Sequence, residues 1–144
     1  GRGPGSTPGT DARPVGTETM DPVGRAATLS AAIQCFDAGK YLAAHELFEE
    51  LWEESEGADS DFFKGLVQAA ICLHHFESGN LEGAAKLYSG HRRCLAAFLP
   101  LHEGVDVARF LADMQEALRP VMQRRPGESA PFPTQRPRIL PQNR

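Results

Sequence analysis

The chain is poor in the residues that build large catalytic frameworks. Its 144 residues include one Trp, two Tyr and three Cys, and aromatics amount to 8%. Cys35, Cys72 and Cys94 are odd in number and form no Cys-x-x-Cys pair. That spacing excludes a disulfide framework, and three free thiols point to a reducing, cytoplasmic setting. No apolar run approaches the roughly 20 residues of a membrane span, so no membrane partner is expected. No stretch alternates apolar and polar residues with period two, which argues against strands. A Gly-rich phosphate loop, a Ser-His-Asp order and a Cys nucleophile with a base are all missing.

Proline is scarce where the chain is most apolar. Of the 11 Pro, only Pro22, Pro100 and Pro120 fall between Asp21 and Met122. The others gather at the ends, beside Gly1, Gly3, Gly5, Gly9 and Gly16 at one and Arg136, Arg138 and Arg144 at the other. Residues 1–20, Gly/Pro-rich, and residues 123–144, Pro/Arg-rich, read as disordered. Neither buries enough surface to offset its ordering entropy. The first lacks the apolar core of a signal peptide, and Met20 is an alternative start of translation. Residues 21–122 remain as one helical domain with room for one hydrophobic core. That excludes a two-domain enzyme, a doubly wound nucleotide fold and a large barrel.

Basic charge is short in this middle region. From Asp21 to Pro120, 16 acidic residues stand against 8 basic ones. An acidic body argues against nucleic acid as the main partner, because phosphate binding needs positive surface. The run from Glu46 to Asp61 holds eight acids and no base, the pattern of a solvated helix face.

What the middle does contain is helical periodicity. Asp21 and Pro22 start a first helix that Gly39 stops. A second runs from Tyr41 to about Glu56, and a third from the cap candidates Asp59 and Ser60 to Ser78. Asn80 caps a fourth that reaches about Phe98, and Asp106 caps a fifth. Phe36–Gly39–Tyr41–Ala44–Leu47–Phe48 recurs forty residues later as Phe76–Gly79–Leu81–Ala84–Leu87–Tyr88. The fold expected is all-α: a compact five-helix bundle of two tetratricopeptide-like helical hairpins plus a C-terminal capping helix.

Several polar residues sit at the margins of the apolar stripes. His45, Glu49 and Trp52 share one stripe of the second helix, and Gly65, Gln68, Cys72 and His75 share one of the third. Antiparallel packing of these two helices would bring His45, Glu49, Gln68, His75 and Trp52 into one polar cluster. Gly65 would admit a ligand or another backbone. Three readings stay open: a buried hydrogen-bond network, a ligand or partner pocket, and a divalent metal site built from His45, Glu49 and His75. Glu46 points roughly 100° away from His45 on a helix, so both cannot aim at one point. His45-Glu46-x-x-Glu49 also lacks the second His of the metalloprotease motif.

At these residues the chain resembles a family of small, mostly bacterial helical proteins, domain of unknown function 309. The resemblance runs from about Phe36 to Leu118. It is carried by Gly39-Lys-Tyr41-Leu-Ala-Ala-His45-Glu46-x-x-Glu49-x-x-Trp52, Phe63-Lys-Gly65-Leu-Val-Gln68-Ala-Ala70, His75-x3-Gly79-Asn80-Leu-x-Gly83-Ala84 and Gly104-Val-Asp106-Val. It implies that His45, Glu46, Glu49, Trp52, Gly65 and Gln68 are hallmark positions, with a departure at Leu42, where relatives often carry an aromatic ring. It implies an all-helical fold and supplies no activity. The function expected is a binding or scaffold module without a cofactor, for a protein or small-molecule partner, as monomer or homodimer. The alternative is a metal-dependent enzyme of hydrolase type, with His45, Glu49 and His75 as ligands and Glu46 or a second carboxylate as base.

Overall fold

The computed structural model describes residues 20–140. The expected disordered N-terminal segment, all but its last residue, lies outside the described residues. Among the described residues there are five α-helices: α1 (Pro22–Asp37), α2 (Tyr41–Glu54), α3 (Ala58–Glu77), α4 (Leu81–Leu95) and α5 (Val107–Gln123). Each packs on the next in sequence, so α3 lies between α2 and α4. No helix among the described residues is long and apolar enough to cross a membrane.

Local chemistry accounts for the helix ends. The Asp21 carboxylate accepts from Gly24 N at 2.7 Å, and Pro22 occupies the first turn of α1. At the other end Gly39 takes φ +82°, Lys40 N donates to Cys35 O at 2.8 Å and Gly39 N to Phe36 O at 2.9 Å. The second copy of the echo closes identically. Gly79 has φ +90°, Asn80 N reaches His75 O at 2.8 Å and Gly79 N reaches Phe76 O at 3.1 Å. Both are Schellman closures, in which a residue without Cβ turns left-handed and satisfies the orphan carbonyls. α3 departs from expectation at its start: Gly57 precedes it and no side chain caps it.

The expectation of no strands needs a small correction. Leu101–His102 and Val105–Asp106, called β1 and β2, form an antiparallel two-residue hairpin leading into α5. Glu103 (φ 53°) and Gly104 (φ 78°) make its turn, the pair of positive φ values that matches hairpin twist. Two residues per strand are too few to show a sequence period.

The core is aromatic at its centre. Phe36 packs edge-on against Tyr41 at 5.5 Å and Phe110 at 5.6 Å, joining α1, α2 and α5. Phe62 does the same with Phe63, Phe98 and the His102 ring. One fully buried residue, Ile139, lies beyond the helices. The expectation that 123–144 is disordered is therefore corrected over residues 124–140. This segment doubles back along α5, and Ile139, Phe132 and Ala130 join the core. The tail is mostly polar, but its few apolar residues have a prepared surface to meet.

Candidate functional site

The hydrogen bonds and ion pairs of the expected cluster run within α2, or from α3 to α4 and its cap. On α2, His45 Nε2 lies 3.9 Å from Glu49 Oε1 one turn on, with side chains 26% and 41% exposed. Glu46 is exposed, and Trp52 lies half-buried against the core. Gly65, Gln68, Cys72 and His75 of α3 meet α4 or its cap. A Cβ on Gly65 would fall 2.7 Å from Leu95 Cγ, and one on Gly90 would fall 2.8 Å from Gln68 Oε1. Cys94 donates weakly to Gln68 at 3.7 Å, and Cys72 donates to Ala84 O at 3.2 Å. Burial pushes the Cys72 thiol up to about 12, so it behaves as an inert small residue. His75 rests on the start of α4, its Nδ1 3.3 Å from Asn80 Nδ2.

Among the described residues no hydrogen bond or ion pair joins His45, Glu46, Glu49 or Trp52 to Gly65, Gln68 or His75. The physical reason is steric. Glycines 65, 83 and 90 and Ala84 let α3 and α4 approach closely, and that contact consumes the stripe. Nor do the metal ligands of the alternative reading assemble. The only described group of three whose ligand atoms lie within 4.8 Å of one another is Asp59, His102 and Glu103. There the Arg25 guanidinium already supplies the cation. It donates to both Glu103 oxygens at 3.2 and 3.0 Å and lies 3.7 Å from Asp59. This network ties α1 to the start of α3 and to the hairpin.

The imidazole that is truly enclosed is His91 on α4. Its Nδ1–H donates to the Tyr88 carbonyl at 2.5 Å, and its Nε2 has no partner among the described residues. Burial, above all, lowers its pKa to about 4, so it is neutral.

A second set of polar contacts lies along the seam between α1 and α5. Residues 132–140 run there as a strap without helix or strand, bending at 134–135 and 139–140. The Asp37 carboxylate, 8% exposed, accepts from Ile139 N at 2.6 Å and Leu140 N at 3.2 Å. From the other side, Arg109 Nη2 donates to the carbonyls of Arg138 and Ile139, both at 2.9 Å. Asp113, one turn along α5, pairs with the same guanidinium. Burial raises the Asp37 pKa, and the two amide donors oppose that shift. The strap is thus held through consecutive peptide groups by one acid and one base.

Three side chains anchor it. Phe132 packs on Phe76 at 4.9 Å. Arg136 donates to Glu77 at 2.7 Å and to the Tyr41 hydroxyl at 3.1 Å, with its guanidinium over the Tyr41 ring. Those bonds, the one to Glu77 first, raise its pKa further. Ile139 fills the core. Leu140 ends the strap at a cavity of about 630 Å³ shared with Met20, Arg25, Leu29 and Ile33. Sequence reasoning missed Asp37, Arg109 and the strap. The one signal was Phe132 and the pair Ile139-Leu140, large apolar residues in a Pro/Arg segment.

Comparison with known proteins agrees with the resemblance read from the motifs. Residues 29–87 match the family described as Domain of unknown function (DUF309). A stretch of 91 residues is 28% identical to an uncharacterized protein of Aquifex aeolicus (strain VF5), covering 62% of this chain and 27% of that protein. A stretch of 78 residues is 33% identical to the uncharacterized protein YpuF of Bacillus subtilis (strain 168), covering 52% of this chain and 45% of the relative. The chain therefore spans less than half the length of these curated relatives. No solved structure matches the chain significantly. The family match includes Asp37, Tyr41 and Glu77 and ends before Arg109 and the strap.

Proposed function

We propose that the chain is a non-catalytic helical scaffold that captures a peptide segment, held by its main chain, in the seam between α1 and α5. The observation that carries this reading is the double grip of Asp37 and Arg109 on consecutive peptide groups of residues 138–140. Main-chain recognition of this kind is indifferent to side-chain identity, and pockets for individual side chains add selectivity. Here those pockets favour an aromatic ring, an Arg four residues later and a branched aliphatic three beyond that.

The two echoed hairpins, with their matching glycine closures, support a tetratricopeptide-like stacking that presents this seam. Three free thiols suit a reducing, cytoplasmic compartment. The acidic body favours basic peptides such as the Arg-bearing strap over nucleic acid. No cofactor is needed for such a role.

The test is fluorescence anisotropy with a labelled peptide of residues 130–144. The receptor is full-length protein carrying Ile139→Asp, which unseats its own strap. Saturable binding that Arg109→Glu in the same background abolishes is the expected result. An anisotropy that stays flat across the titration overturns the reading.

A further inference from the structure

Resting on that reading, we propose that the occupant of the seam in trans is the strap of a second copy, two chains exchanging residues 132–140 reciprocally. The contacts that hold the strap are all made between it and the helical body. None depends on which chain supplies it. Residues 124–131, which lead into it, take their hydrogen bonds from one another, and of them Ala130 packs on the core. Glu128 N donates to Arg125 O at 3.0 Å, Arg125 N to the Glu128 carboxylate at 2.9 Å, and Arg124 to the carbonyls of both.

A connector hydrogen-bonded to itself, with Gly127 at φ +86° after Pro126, can open at the cost of the Ala130 contact while the strap keeps every anchor. Exchange of an identical element is a low-cost route to a dimer for that reason. Charge favours the same occupant. Arg136 and Arg138 of the strap meet Glu77 and Asp37 of the body. The short tether gives the chain's own strap a high effective concentration, so exchange grows with protein concentration.

Two full-length variants test this. Ile139→Asp spoils the strap and leaves the seam intact; Asp37→Arg spoils the seam and leaves the strap intact. Each alone should elute as a monomer by size exclusion with light scattering, after melting curves confirm that it folds. Mixed in equal amounts they should double in mass to a one-to-one dimer. Should Asp37→Arg not fold, Arg109→Glu breaks the same grip from α5. A third chain, with residues 124–131 replaced by a continuous helix former, carries the strap roughly 12 Å beyond its own seam. It should be dimeric at every concentration.

A mixture that stays monomeric while the labelled strap peptide binds Ile139→Asp overturns the exchange and leaves the peptide seam standing. If the peptide also fails to bind, both fall. A wild-type dimer that survives Ile139→Asp overturns the exchange as well.

Discussion

Asp37, at the end of α1, and His45, on the next helix, are both polar residues beside buried aromatics, yet their surroundings are opposite. Asp37 is almost enclosed and accepts two peptide N–H groups from residues a hundred positions away. His45 faces a carboxylate of its own helix across 3.9 Å, with both side chains partly in water. A polar residue acquires a binding role when a second element brings it groups that water can no longer serve. The α2 stripe lacks that second element, and the α3 stripe has spent its own on α4.

The contrast can be broken most severely at Ile139. Ile139→Asp places a charge in a fully buried apolar site and should cost about 3 kcal/mol or more. Thermal melting should register it, with the helical circular dichroism retained and trypsin cutting sooner after Arg138, since Pro137 blocks cleavage after Arg136. An unchanged melting temperature would return the strap to the status of a loose tail.

The enclosed His91 sharpens the comparison from the side of charge. Burial depresses its pKa to about 4, against 6.5 for the free side chain. Between those values the unfolded chain binds the proton and the native one does not, so stability falls as pH drops from 6.5 toward 4. The loss should be on the order of 3 kcal/mol, followed by urea unfolding at several pH values. His91→Leu should flatten that slope.

Gly65 tests the α3 stripe. Gly65→Ala pushes a methyl to 2.7 Å from Leu95 and should cost about 1–3 kcal/mol in chemical denaturation. A ligand pocket at this position would instead tolerate the methyl. The smallest effect is expected at His45. Its ion pair is long and exposed, so His45→Ala should change stability by no more than about 0.5 kcal/mol in the same assay. A drop of several degrees in melting temperature would mean that His45 is structural after all.

Much of the architecture was legible in the residues. Asp21 with Pro22, Asn80 and Asp106 announce helix starts, and Gly39 and Gly79 announce stops, because caps act within one turn of chain. The echo from Phe36 to Tyr88 was legible for the same reason. Helical spacing placed His45, Glu49 and Trp52, and Gly65, Gln68, Cys72 and His75, on two expected stripes. Which neighbour each stripe meets was not legible. A helical period states that residues share a face and is silent on the partner, and here small residues on α4 claimed the α3 face. The hairpin was too short to carry a period, and the strap was hidden by its proline and arginine.

Sequence alone settled the helical class, the ends of most helices, the acidic body and the residues able to line a helix contact. These are consequences of backbone chemistry and spacing within a few residues. Only the folded arrangement decided that Asp37 and Arg109 grip a distant stretch of chain, that Ile139 belongs to the core, and that Gln68 meets Gly90 and Cys94 of α4. Those outcomes depend on which surfaces exclude water together, and that is a property of packed elements, not of any one of them.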